Sequence, residues 1–75
     1  MAGTGTSVLV YGKDDCPYTS KARKDLEGKG FQVEYRNVRT SPEFLKEMLA
    51  LTKGAREVPV VLENGRVTIG WGGGA

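Results

Sequence analysis

The sequence predicts an α/β domain with a four-stranded mixed sheet, its elements in the order β-α-β-α-β-β. Three observations carry this. Short apolar runs alternate with two amphipathic segments, each opened by a proline and closed by a glycine. A helix between two strands implies a right-handed crossover and parallel pairing of the first two strands. Asn64-Gly65 stands between two strand-like runs, a strong hairpin signal for an antiparallel closing pair.

Ser7-Val-Leu-Val-Tyr-Gly12 is rich in β-branched residues and reads as a buried strand. Lys13-Asp14-Asp15 is a polar loop, after which Cys16-Pro17 opens the first helix. Proline suits a first helical turn, where its missing N–H is not needed. Tyr18, Ala22 and Leu26 recur at i, i+4 and i+8 as one apolar face, and Gly28 and Gly30 stop the helix. Residues Phe31 to Val38 alternate, with Phe31, Val33 and Tyr35 set against Gln32, Glu34 and Arg36, which predicts the second strand.

Thr40 or Ser41 can cap the second helix. Thr40 and Glu43 have capping-box spacing, and Pro42 falls in the first turn. Phe44, Leu45, Met48, Leu49 and Leu51 form its apolar stripe, which is assigned to core packing, and Gly54 ends it. Val58 to Leu62 is the third strand and Arg66 to Ile69 the fourth. The helices are needed as cover, because a sheet must bury its apolar residues against another layer.

Length and composition bound what this domain does. Seventy-five residues allow one small domain, read as spanning 1–75 with flexible ends at 1–6 and 74–75. A 39% hydrophobic and 27% charged composition separates it from disordered chains. One cysteine and no histidine exclude an internal disulfide, a cysteine–histidine zinc site within the chain, and hydrolysis by a histidine base. A net charge of +2, with no basic block, gives no nucleic-acid footprint. No apolar run approaches the ~20 residues that span a bilayer. The small polar start, MAGTGTS, lacks the pattern of a secretory signal. The expected compartment is the cytoplasm, where a lone thiol stays reduced.

Cys16 is the residue with chemistry. At a helix start it meets unpaired N–H groups and about half a positive charge, both of which favour a thiolate. An ordinary thiol with a pKa of about 8.5 is roughly 3% ionised at pH 7, and helix-start cysteines are known to be far more so. Lys13 adds positive charge, and the Thr19 hydroxyl one turn on can donate to the sulfur. Asp14 and Asp15 oppose ionisation, but from a solvated loop. A buried, inert cysteine is the plainer alternative. The polar turn before it and the proline after it argue for a reactive thiol instead.

Cys16-Pro17-Tyr18-Thr19 resembles the Cys-Pro-Tyr-Cys site of glutaredoxins, with threonine for the second cysteine. Lys13 falls at a family position. Gly54-Ala55-Arg56-Glu57-Val58-Pro59 is similar to the family's Gly-Ala-Arg-Thr-Val-Pro, and Ile69-Gly70-Trp71-Gly72-Gly73 to its Gly-Gly or Gly-aromatic turn. The chain also resembles bacterial relatives that carry selenocysteine where Cys16 stands. The resemblance spans residues 7 to 73 and implies a thioredoxin fold whose last helix is truncated or missing here. It implies glutathione as co-substrate, with no bound cofactor. Cys16 and Thr19 would be the catalytic pair. Lys13, Tyr18, Val58, a cis Pro59, and Gly70, Trp71, Gly72 and Gly73 would form the glutathione groove. Lys13 would meet a carboxylate and Val58 would offer its backbone to the tripeptide as an extra antiparallel strand. The loop from Gly70 to Gly73 would receive the γ-glutamyl carboxylate. Plainer readings are a solvated Lys13, a helix-packing Tyr18 and a Val58-Pro59 that only enters a strand. Arg39 and Arg56 are weaker candidates to reach a carboxylate.

The absent second cysteine rules out the two-thiol cycle within this chain. The function implied is therefore a monothiol one: a monomeric thiol–disulfide oxidoreductase that uses glutathione to reduce glutathionylated or disulfide-containing proteins. Where the family has an acidic residue after the Gly-Gly turn, this sequence has Gly74 and Ala75: either that contact is lost or the sequence stops short of it. Two other readings stand beside it. One is an iron–sulfur carrier sharing a cluster between two chains, disfavoured by the stiff Pro17. The other is a redoxin for ribonucleotide reductase, to which Gly70-Trp71 is similar but for which a second thiol is lacking.

Overall fold

The structure, a computed structural model, describes residues 7–72. The expectations for residues 1–6, Gly73 and residues 74–75 lie outside them. The elements run β1 (Ser7–Gly12), α1 (Pro17–Gly28), β2 (Gln32–Asn37), α2 (Pro42–Thr52), β3 (Val60–Glu63) and β4 (Arg66–Ile69). The sheet order is β2-β1-β3-β4. β1 and β2 pair in parallel, Val8 opposite Val33 and Val10 opposite Tyr35. β3 lies antiparallel to both β1 and β4, with Val10 opposite Val61 and Val61 opposite Thr68.

Successive side chains of a strand point to opposite faces of the sheet, so β1 feeds two cores. Val8 and Val10 join Ala22 and Leu26 of α1 and Val61 of β3. Tyr11 joins Met48 of α2 with Val58 and Val60, and Leu9, Phe44, Leu45 and Leu49 pack around them. The helices therefore cover opposite faces. Burying each large side chain, Leu26 or Met48, contributes about 2 kcal/mol, so both faces need their helix. An ion-pair network closes one side: Arg36 of β2 binds Glu34 at 2.7 Å and Glu47 of α2 at 2.6 Å. Among the described residues, no helix is long and apolar enough to cross a membrane.

Several boundaries differ from those expected. The buried face of α1 is Thr19, Ala22 and Leu26, not Tyr18, Ala22 and Leu26. Thr19 packs over Gly12, where a Cβ would collide with its side chain, while Tyr18 turns outward. β2 lacks Phe31 and Val38 at its ends, although Val38 still donates its N–H to the Gly12 carbonyl at 2.9 Å. β3 starts at Val60 rather than Val58, because Pro59 has no N–H to give the ladder. Of the two possible caps of α2, Ser41 is used: its hydroxyl accepts the Phe44 N–H at 3.3 Å. That helix ends at Thr52, two residues before Gly54, with the C-cap Lys53 in the left-handed region at φ 59°. The hairpin turn has Asn64 at φ 52° and Gly65 at φ 80°, the two positive values of a type I′ turn.

Candidate active site

The C-terminal end of β1 delivers the chain through Lys13-Asp14-Asp15 to Cys16, the N-cap residue of α1. The Cys16 N–H donates to the Lys13 carbonyl at 3.3 Å, which forms the turn, and the Cys16 carbonyl accepts the Ser20 N–H at 3.2 Å, which starts the helix. The cap residue is extended, at φ −99° and ψ 114°, and the Cys16 side chain makes no cap hydrogen bond. The N–H groups of the first turn are thus left for an anion.

The opposing wall is the segment before β3. The Val58–Pro59 peptide bond is cis. The Val58 carbonyl accepts from the Cys16 Sγ at 3.8 Å. The Gly70 N–H donates to the Pro59 carbonyl at 2.7 Å and ties the end of β4 to this segment. Between the walls lies an open groove of about 340 Å³, lined by Lys13, Asp15, Cys16, Pro17, Tyr18, Arg56, Glu57 and Val58. Cys16 is only 5% exposed, so its sulfur is shielded yet borders the opening.

Burial pushes the Cys16 thiol up. The Thr19 hydroxyl, the Thr19 and Tyr18 N–H groups and the Lys13 charge outweigh burial, and the net direction is down. The Thr19 Oγ1 is buried and meets no hydrogen-bond partner among the described residues. Its hydroxyl is the foremost of the groups that favour the Cys16 thiolate.

Of the anticipated site residues, Lys13, Cys16, Tyr18 and Val58 are brought together around the groove, with Thr19 buried beneath. Pro59 is buried behind Val58. Gly70 is buried, and Trp71 and Gly72 lie beside α1 rather than along the groove wall. The Trp71 indole N–H donates to Asp25 Oδ2 at 2.9 Å, and Trp71 packs against the core under α1. A Cβ on Gly72 would lie 3.4 Å from Lys21. Arg56 reaches the groove, whereas Arg39 binds Asp15 at 3.3 Å and faces a separate hollow by Asn37 and Thr40. Asp14 is held by the Tyr35 hydroxyl at 2.8 Å. The groove residues that sequence reasoning passed over are Asp15 and Glu57. A charge in a loop reads as solvated. Only the place of Glu57 directly before Val58-Pro59 could have drawn attention to it.

The family model for glutaredoxins matches residues 8–68. No curated protein matches the chain. Among solved structures, the glutaredoxin-like protein NrdH-redoxin from Escherichia coli, described as having a thioredoxin-like activity profile, has a TM-score of 0.74 at 28% identity. That alignment covers 85% of this chain and 82% of the other. The glutaredoxin grx-1 from Archaeoglobus fulgidus has a TM-score of 0.69 at 23% identity, covering 88% of this chain and 76% of its own, a likeness of fold alone. The four-stranded mixed sheet with its two helices is thus the thioredoxin-like fold expected from the sequence.

Proposed function

Because this chain belongs to the glutaredoxin family and is a thiol–disulfide oxidoreductase, we propose that it works with Cys16 alone, through glutathione mixed disulfides. The Cys16 thiolate attacks the glutathione sulfur of a protein–glutathione disulfide. A new disulfide forms between Cys16 and glutathione, the old one breaks, and the target leaves as a thiolate that takes a proton from solvent. A second glutathione, as thiolate, attacks the bound glutathione sulfur. Cys16 leaves as thiolate and glutathione disulfide departs. The sum is one mixed disulfide and one glutathione converted to one protein thiol and one glutathione disulfide.

The observation that supports this best is the position of the Cys16 sulfur at the start of α1, 3.8 Å from the Val58 carbonyl, on a groove open to solvent. A lowered thiol pKa makes Cys16 a slightly weaker nucleophile but a better leaving group, which speeds the second step most. Lys13 at the rim offers a charge to a carboxylate, and Val58 offers backbone to an extended peptide. Glutathione is a co-substrate here and no resident cofactor is needed. The partners are glutathione and glutathionylated or disulfide-bearing proteins, met by a monomer in the reducing cytoplasm.

The test is reduction of a glutathionylated peptide by the wild-type chain and by Cys16→Ser. All turnover above background is lost in the variant; retained turnover overturns the assignment. Titration with glutathione followed by amide shifts checks the groove, with changes expected at Lys13, Tyr18 and Val58. The likeness to a redoxin with a thioredoxin-like profile favours one second reading, reduction of a protein disulfide without glutathione. Turnover of an insulin-type disulfide in the absence of glutathione identifies it. The single cysteine stands against it, because nothing in the chain resolves the mixed disulfide that the first attack creates.

A further inference from the structure

Four charged residues line the groove: Lys13, Asp15, Arg56 and Glu57. Asp15 is engaged by Arg39 at 3.3 Å. Among the described residues, no ion pair engages Lys13, Arg56 or Glu57. The rim therefore presents two uncommitted cations and one uncommitted anion to whatever enters. Glu57 is exposed and stands immediately before Val58, whose carbonyl faces the reactive sulfur.

The direction of a bound peptide decides what Glu57 meets. This step rests on the reading above, in which the glutathione moiety runs antiparallel to Val58. In an antiparallel pair, the residue after the substrate cysteine lies opposite the residue before its partner. With the cysteine opposite Val58, the next residue lies opposite Glu57. In glutathione that residue is glycine, which carries the terminal carboxylate. Lys13 and Arg56 attract this carboxylate, and Glu57 repels it.

We propose that Glu57 is a specificity-determining residue that offsets the pull of Lys13 and Arg56 on the C-terminal carboxylate of the bound tripeptide. The preference of the groove for a charged over an uncharged C-terminus is then smaller than Lys13 and Arg56 alone would give. The charges sit at an exposed rim, so the effect is modest and depends on salt.

The experiment uses the full chain and two mixed disulfides of one reporter peptide, one made with glutathione and the other with glutathione capped as its C-terminal amide. At low ionic strength, Glu57→Gln raises kcat/KM for the glutathione form about two- to fivefold and leaves the amide form unchanged. The gain shrinks at about 0.5 M salt. Glu57→Asp keeps the wild-type ratio between the two forms. An equal change for both forms, or no change for either, overturns the proposal. Absence of Cys16-dependent turnover of both forms overturns the glutathione reading itself, a result distinct from lost discrimination with turnover intact.

Discussion

Cys16 Sγ lies 3.8 Å from the Val58 carbonyl oxygen and donates to it while protonated. Once the proton leaves, that carbonyl has lost its donor and faces an anion. In the proposed reading, in which Val58 offers its backbone to the tripeptide, loss of the thiol proton leaves this carbonyl with one more lone pair for an incoming donor.

The same geometry sets the pH dependence of the thiol. Alkylation by iodoacetamide, followed against pH, has its midpoint below that of a free cysteine, in the direction set by Thr19, Tyr18 and Lys13. Thr19→Val moves the midpoint up and slows alkylation at neutral pH roughly two- to tenfold, the worth of one hydrogen bond to an anion. It also raises stability in urea by about 1 kcal/mol at a pH where the thiol is protonated, because a buried hydroxyl without a partner is removed. A stability loss with unchanged alkylation contradicts this account.

Gly12→Ala places a methyl group into the Thr19 side chain, between β1 and α1. The expected cost is about 1–3 kcal/mol in chemical denaturation. Adding Thr19→Ala recovers most of that loss. Failure of the double variant to recover shows that Gly12 matters for another reason.

Tyr35 gives a pH dependence of stability at the alkaline end. Burial, then the hydrogen bond to Asp14 and its charge, push the phenol up to about 12 from an ordinary value of 10.0. The folded state keeps its proton where the unfolded chain has lost it. The stabilisation is complete below about pH 10 and is lost as pH rises toward about 12. Tyr35→Phe flattens that decline and costs about 1 kcal/mol at neutral pH through the lost bond to Asp14. Denaturation midpoints across the alkaline range measure it.

Arg36 ties β2 to α2 through Glu34 and Glu47, donates to the buried Tyr11 hydroxyl at 3.3 Å and lies over the Phe44 ring at 5.3 Å. Arg36→Ala lowers stability by about 1–3 kcal/mol, since the loss is a network and not a lone surface pair. Glutathione-dependent turnover per folded molecule stays unchanged, which separates this residue from those of the groove.

Local sequence signals located β1, the hairpin and both helices, because each depends on neighbours a few residues away. Asn64-Gly65 dictates its turn by itself, and Pro17 and Pro42 mark helix starts by themselves. The place of Cys16 at the start of α1 was legible for the same reason. What local pattern could not supply was contact across the fold. Tyr18 and Thr19 differ in fate because Thr19 packs over Gly12 at the end of β1, a strand-to-helix contact that the helical period alone does not report. Trp71 falls in a turn expected to face the groove, yet its indole is drawn to Asp25 on α1. The insertion of β3 between β1 and β4 depends on pairings that no periodicity within β3 encodes.

Trp71 is the one tryptophan in the chain. Its indole is half-buried and held by a carboxylate on the helix that begins at the reactive cysteine. The protein therefore carries its own optical gauge. Intrinsic fluorescence reads, without any label, whether the segment after β4 is seated on α1. Chemistry at one end of that helix and seating toward its other end can be followed in a single cuvette.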